Sequence, residues 1–581
     1  MTRTVRRLSA LALAVVAAPL VAPLAAAEPV DYDMVTRIRQ EGLRRSQVME
    51  TLTELVDGYG PRLTGSPQQQ AASDWAQAKL AGWGLVNAHQ ETYPFRAGWS
   101  YKACDLRVVA PFAAPLHALP LAWTVGTAGP VRAAAMKVKL AAEEDLEPLR
   151  GKVRGKILVV EPVAEEVRGR EPSRDADDPT AERPFRRYDD DSLREVGAFR
   201  IPGDRPEERR REQGRKRWAF TEARNRFLVE EGVVATVEKS TRENGILWVT
   251  GGGGGGWPGR SPGVPGLVLM EEQFLRLTRA LDEGKEVELA LDVVAELHDA
   301  PEPQAANVVA EIPGSDKAGE IVMVGAHLDS WHAGVGATDD GAGTAVVMEA
   351  ARILQALGTK PRRTIRFALW SGEEQGLLGS RAYVKSHFAT RPKPMDPEVA
   401  ALPDQYWGET WPLSTLPEHA KLSVYFNLDN GSGKIRGVYA QENAAAVPIF
   451  EAWLAPFADL GATLVTMRNT GGTDHQAFDA VGLPGFQFVQ DGLEYMSRTW
   501  HTDLDTLDHA SREDLMQAAT VMASFAYHAA MRPEPFPRKP MPTPPPAGAK
   551  RSESGGRPAT APATPAAAGK PATPPKPPSG R

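Results

Sequence analysis

A chain of 581 residues exceeds one ordinary domain and predicts two folded units with tails. Apolar content of 42% and charged content of 24% are those of a soluble globular protein, and a net charge of -7 gives no footprint for a nucleic-acid partner. The single cysteine, Cys104, excludes an intramolecular disulfide and a cysteine-rich metal site, and reads as a small buried apolar residue.

Arg3, Arg6 and Arg7 precede an apolar stretch over residues 8–24, and Ala25-Ala26-Ala27 offers a small-residue cleavage site before Glu28. Residues 1–27 are therefore expected to be a signal peptide, of the general or the twin-arginine type. The mature chain is expected to be secreted or periplasmic. No other segment is long and apolar enough to cross a bilayer. Residues 35–83 carry a helical pattern, broken by the Gly/Pro/Ser-rich run from Gly60 to Pro67. Residues 106–110 predict a strand.

Over residues 115–300 the character changes to that of an inserted β-rich domain, with short strands at 156–160 and 232–237. Between them, residues 161–217 are crowded with Arg, Glu and Asp and predict a long, partly disordered loop. The glycine run at 251–256 lacks the Gly-Lys-Ser/Thr of a phosphate loop and predicts a flexible surface loop.

From residue 307 to 531 strands alternate with helices: strand candidates are 307–311, 321–326, 364–370, 422–427 and 485–489, and 343–357 is a strong amphipathic helix. The pattern predicts an α/β fold with a mixed, largely parallel sheet flanked by helices. Its first part occupies 28–114 and its second 301–531. Residues 532–581, rich in Pro and Ala, predict a disordered, solvated tail.

The chemistry gathers where strands end. His327 and Asp329 follow one strand, Glu373 and Glu374 another, and Asp429 a third, the place where open α/β sheets build their sites. Asp339-Asp340-Gly341 lies before a helix and His501 in a polar loop. Two histidines and several carboxylates suit two zinc ions, which need a carboxylate between them. Asp329 is placed to fix the tautomer of His327. Asp340 has the position of a helix cap. Of adjacent Glu373 and Glu374, one can bind metal while the other moves a proton.

The series His-x-Asp-Ser, Asp-Asp-Gly-x-Gly, Glu-Glu-x-Gly, Leu-Asp and His-Thr-x-x-Asp-Thr, in this order, resembles the co-catalytic zinc exopeptidases. That family includes secreted bacterial leucyl aminopeptidases, carboxypeptidase Q and glutamate carboxypeptidase II. Gly60-Pro61-Arg62 with Thr64-Gly65-Ser66 is similar to its N-terminal segment, and residues 115–300 resemble its protease-associated domain. The resemblance implies a zinc-dependent metallopeptidase acting on peptide substrates. It implies that Asp339 bridges two Zn2+, that His327 and Asp429 hold one and Glu374 and His501 the other. It makes Glu373 the general base and Asp329 the residue that orients His327. It also implies a cis Asp339-Asp340 bond. Some relatives carry an oxyanion-binding Tyr before the final His. Here that residue is Trp500, which has no hydroxyl, so Tyr495 and His475 are the candidate substrate-binding donors. An aminopeptidase is the expected activity. A carboxypeptidase or dipeptidase like carboxypeptidase Q is the alternative, and an inactive binding module or a cyclase on the same fold are further ones.

Overall fold

The computed structural model describes residues 28–162, 187–198, 206–252 and 254–544. The architecture below is that of the compact unit ending at Pro542. The expected signal peptide lies outside the described residues, as does the tail from 545 onward.

An eight-stranded mixed sheet runs in the order Val86–Pro94, Gln304–Ile312, Arg363–Trp370, Lys317–His327, Leu422–Asn427, Gly485–Gln490, Ile435–Tyr439, Leu464–Thr466. The four middle strands, Arg363–Trp370 to Gly485–Gln490, are parallel, and His327 pairs with Trp370 and Gly325 with Asn427. Their carboxyl ends therefore meet at one edge. These strands are nearly continuous apolar runs because both faces are covered. Val322, Val324 and Ala326 join one core, and Ile321 and Met323 the other, as alternation along a strand requires.

The helix Ala342–Ala356 packs on the sheet and against the helices Tyr32–Arg44, Val48–Tyr59 and Arg512–Met531, the last of which also packs on the sheet. Residues 342–354 are all buried, so it is a central helix rather than an amphipathic surface one. Its polar residues are paired in place: Arg352 Nε donates to Glu349 Oε2 at 2.7 Å and Nη1 to Glu41 Oε1 at 2.9 Å. A buried charge persists only with such partners.

A second eight-stranded sheet runs in the order Ala114–Leu116, Gly98–Ala110, Glu288–His298, Val131–Val138, Ile157–Val160, Ala235–Lys239, Gly266–Leu269, Ala118–Pro120. It takes up strands from Gly98 onward, ahead of residue 115. Helix Glu271–Asp282 packs Phe274, Leu277 and Ala280 on it. The charged tract that predicted a loop contains helix Asp190–Gly197 and the start of helix Pro206–Glu230. The first is capped by Asp189, which accepts from Ser192 N at 2.8 Å. The second is anchored by Phe227 and Leu228 near its end. A few apolar positions suffice where a neighbouring surface receives them.

The described glycines of 251–256 form a packed seam, not a flexible surface loop. A Cβ on Gly255 would lie 1.7 Å from the carbonyl oxygen of Trp123, and one on Gly252 2.6 Å from Thr124 Cγ2. The tail also begins ordered: Phe536 is 2% exposed, and Arg538 Nη2 donates to the His419 carbonyl at 2.8 Å. Cys104 is half-buried, its thiol pushed up to about 12 by burial. Among the described residues, no helix is long and apolar enough to cross a membrane.

Candidate metal centre

His327 ends its strand fully buried, and its Nδ1 donates to the backbone carbonyl of Asp329 at 2.9 Å. That bond presents Nε2 to the site. The Asp329 carboxylate, 3.6 Å from Nδ1, serves elsewhere. It accepts from Thr64 Oγ1 at 2.9 Å, from Glu373 N at 3.3 Å and from Glu374 N at 3.4 Å. The hydrogen bond to His327 Nδ1 is made by the residue's backbone oxygen, and the carboxylate, beside the same ring, holds the turn that carries both glutamates.

Asp339 stands between the two histidines. Its Oδ1 is 3.4 Å from His327 Nε2 and its Oδ2 is 3.4 Å from His501 Nε2. His327 Nε2 is 3.7 Å from Asp429 Oδ2, and His501 Nε2 is 2.9 Å from Glu374 Oε2. Two ligand sets result, His327–Asp339–Asp429 and Asp339–Glu374–His501, each with its donor atoms within 4.8 Å of one another. Glu373 Oε2 lies 3.9 Å from His327 Nε2, at the margin of the first set. The Asp339-Asp340 peptide is cis. Asp340 turns away from the cluster: its carboxylate accepts from His327 N at 3.3 Å and from Gly343 N at 2.9 Å. It thereby ties the strand end to the first turn of the central helix.

Burial pushes the carboxyls of Glu373, Glu374 and Asp340 well above their ordinary range. Burial acts on Asp339 too, but His327 and His501 outweigh it and hold this group below the carboxylate range. For His327 the neighbouring Asp329, Asp339 and Asp429 overcome burial and raise the imidazole. Crowded carboxylates of this kind call for cations. His327 Nε2, Asp339 Oδ2 and Glu374 Oε1 are buried without a hydrogen-bond partner among the described residues, and all three are donor atoms that zinc accepts. The residues present fit a metal.

The guanidinium of Arg62, close to Asp329 and Asp339, is spent on architecture. Arg62 is fully buried, its pKa pushed down to about 10 by that burial. Its Nε donates to the Leu328 carbonyl at 2.7 Å, Nη1 to that of Val335 at 2.7 Å and Nη2 to that of Gly336 at 2.9 Å. Asp505 accepts from Thr338 N at 2.7 Å and from Asp339 N at 3.1 Å. Arg62 and Thr64 lie in the Gly/Pro/Ser-rich run before Pro67, and Asp505 lies four residues after His501. Spacing assigned them no role, because each works through contacts with loops hundreds of residues away.

A cleft of about 470 Å³ opens over the cluster, lined by Glu373, Arg381, Thr473, Tyr495, Met496 and Trp500 among others. Tyr495 is buried there, its hydroxyl donating to Asp429 Oδ1 at 3.4 Å. His475 is fully buried behind that wall, with Nε2 at 3.1 Å from the Thr470 carbonyl and its imidazole pushed down to about 4 by burial. Its neighbours Thr473 and Gln476 face the cleft instead.

Residues 307–526, which carry the whole cluster, match the family described as Peptidase family M28. With this buried His/Asp/Glu cluster inside the matched segment, the chain is a metallopeptidase, a hydrolase. The chain is similar to carboxypeptidase Q of Mus musculus, 25% identical over 497 residues, covering 86% of this chain and 88% of that protein. A crystal structure of a peptidase M28 precursor from Shewanella amazonensis SB2B is similar at 26% identity and a TM-score of 0.60, covering 88% of this chain and 99% of the other. BSAP, a zinc aminopeptidase from Bacillus subtilis, shares the fold at 18% identity and a TM-score of 0.50, covering 84% and 95%.

Proposed function

We propose that the chain is a zinc exopeptidase that binds two ions with Asp339 between them and removes residues from the carboxyl end of short peptides. One observation carries the two-ion reading: a single buried carboxylate, Asp339, faces two imidazoles, and each imidazole is backed by a further carboxylate. His327 and Asp429 would hold one ion, Glu374 and His501 the other. When bound, zinc supplies the positive charge that acidifies water and polarises a carbonyl.

The chain's own groups do the rest. Glu373 opens on the cleft and is carried by the same turn as Glu374. It takes a proton from the attacking water and delivers it to the leaving amine nitrogen. The Tyr495 hydroxyl, at the cleft wall beside Asp429, is the donor for the developing oxyanion, in place of the hydroxyl that Trp500 lacks. The full set of five ligands and a base leaves a binding module that has lost its chemistry without support.

Direction follows from charge. Outside the metal cluster the one charged side chain among the described cleft residues is Arg381, and a guanidinium is complementary to a free carboxylate. The similarity to carboxypeptidase Q over most of both chains supports the same direction. Two matched peptides test it, one with a blocked amino and a free carboxyl terminus, the other reversed. The first is expected to be cleaved, with Arg381→Ala raising KM more than it lowers kcat. Cleavage of the second alone would make the enzyme an aminopeptidase.

A further inference from the structure

The two ligand histidines are held in different ways. His327 ends a strand, inside a ladder of backbone hydrogen bonds. His501 sits in a loop with a left-handed φ of 60°, where Trp500 N donates to the Tyr495 carbonyl at 2.8 Å and Thr502 N to that of Thr499 at 3.0 Å. The second sheet's unit holds that loop from outside. Val249 N donates to the His501 carbonyl at 3.0 Å and Asp503 N to that of Leu247 at 3.1 Å, around an antiparallel bridge between Trp248 and Thr502. Leu247 N donates to Asp503 Oδ1 at 2.9 Å, His117 Nε2 is 2.8 Å from Asp503 Oδ2, and Arg242 Nη2 donates to the Met496 carbonyl at 2.7 Å.

The Trp248 ring lies 5.9 Å from that of His501, and Trp500 stacks on the same imidazole at 3.9 Å. The gripping segment is itself anchored. Leu247 and Val249 are fully buried with Leu121 and Val268, and Ser240 Oγ accepts from Trp248 N at 3.1 Å.

We propose that Trp248 and the strand-like segment around it are positioning residues for His501, so that the second sheet's unit sets the affinity of one of the two metal positions. The inference rests on the two-ion reading above. Loosening Trp248 frees the loop that carries His501 and weakens the Asp339–Glu374–His501 set. The His327–Asp339–Asp429 set, built mainly on strand ends, keeps its geometry.

The full chain is loaded with zinc, the ions are counted, and each affinity is measured by competition with a chromophoric chelator. Amide exchange is followed over residues 495–503. The parent is expected to hold two ions. Trp248→Ala should keep one at parental affinity and bind the second about 10–100-fold more weakly, the usual cost of removing support from a ligand, with faster exchange in the loop. Trp248→Phe should restore most of the affinity. His117→Ala, at a half-exposed side chain, should shift the same ion in the same direction by less, and it decides the matter if Trp248→Ala fails to fold. A second ion held at parental affinity in these variants, with unchanged exchange, overturns the positioning role while leaving the two-ion reading intact. A parent that holds no ion at His501 overturns both.

Discussion

Thr64→Val exchanges a hydroxyl for a methyl of the same shape at a fully buried position. Thr64 Oγ1 donates to Asp329 Oδ2 at 2.9 Å and accepts from Gly372 N at 2.9 Å. The substitution leaves an N–H and a carboxylate oxygen short of partners. Each such loss costs about 1–3 kcal/mol. Asp329 Oδ2 keeps the longer bond from Glu374 N at 3.4 Å, so its share lies at the low end and the total is about 2–4 kcal/mol. The same change frees Asp329, whose carboxylate fixes the turn bearing Glu373 and Glu374, and kcat should fall about 10–100-fold. Urea unfolding of the chelator-treated protein reads the stability, and kcat with zinc affinity reads the site. Thr64→Ser keeps the hydroxyl and should retain most of both. An unfolding midpoint and a kcat equal to those of the parent in Thr64→Val would refute the bracing role.

Glu373→Gln should keep zinc and lose about 10²–10⁴ in kcat; normal turnover would remove Glu373 as the base. His387 links three elements, with Nε2 2.8 Å from Glu91 and Nδ1 3.1 Å from Glu418. His89 shares Glu91, Lys421 lies 4.0 Å from Glu418, and Tyr383 packs on the ring. The bond to Glu91 is the main reason its imidazole is raised. A raised histidine stabilises fully below its unfolded pKa of about 6.5 and loses that contribution as pH climbs through the folded value. Thermal midpoints of the parent should therefore fall relative to His387→Gln as pH rises above neutrality, and parallel curves would contradict this. Gly255→Ala drives a Cβ toward the Trp123 carbonyl and should destabilise by at least about 1–3 kcal/mol; an unchanged urea midpoint would show that the glycine seam is not packed.

Strand periodicity and the carboxyl-end rule were enough to identify an α/β sheet and to bring His327, Glu373, Glu374 and Asp429 to one edge, because those signals are local: an apolar run, then a polar turn. The ligand series was legible as a motif for the same reason. What local patterning does not contain is which surface covers which. Residues 343–357 read as amphipathic, yet their Glu349 and Arg352 are buried and paired with each other, and Arg352 reaches Glu41 and the Arg45 carbonyl of the first helix. The glycines near 251 read as a free loop, yet Trp123 and Thr124 lie against them. Phe536 is one aromatic in a Pro-rich run, and its burial exists only because Phe450 and Phe486 receive it. Strand pattern and spacing thus pointed to the fold class, and the resemblance to the candidate ligands. Tertiary structure alone decided that Thr64 braces Asp329, that Asp505 holds the Asp339 backbone, and that the second sheet grips His501, since each of these is a hydrogen bond between segments far apart in sequence, to which no periodicity points.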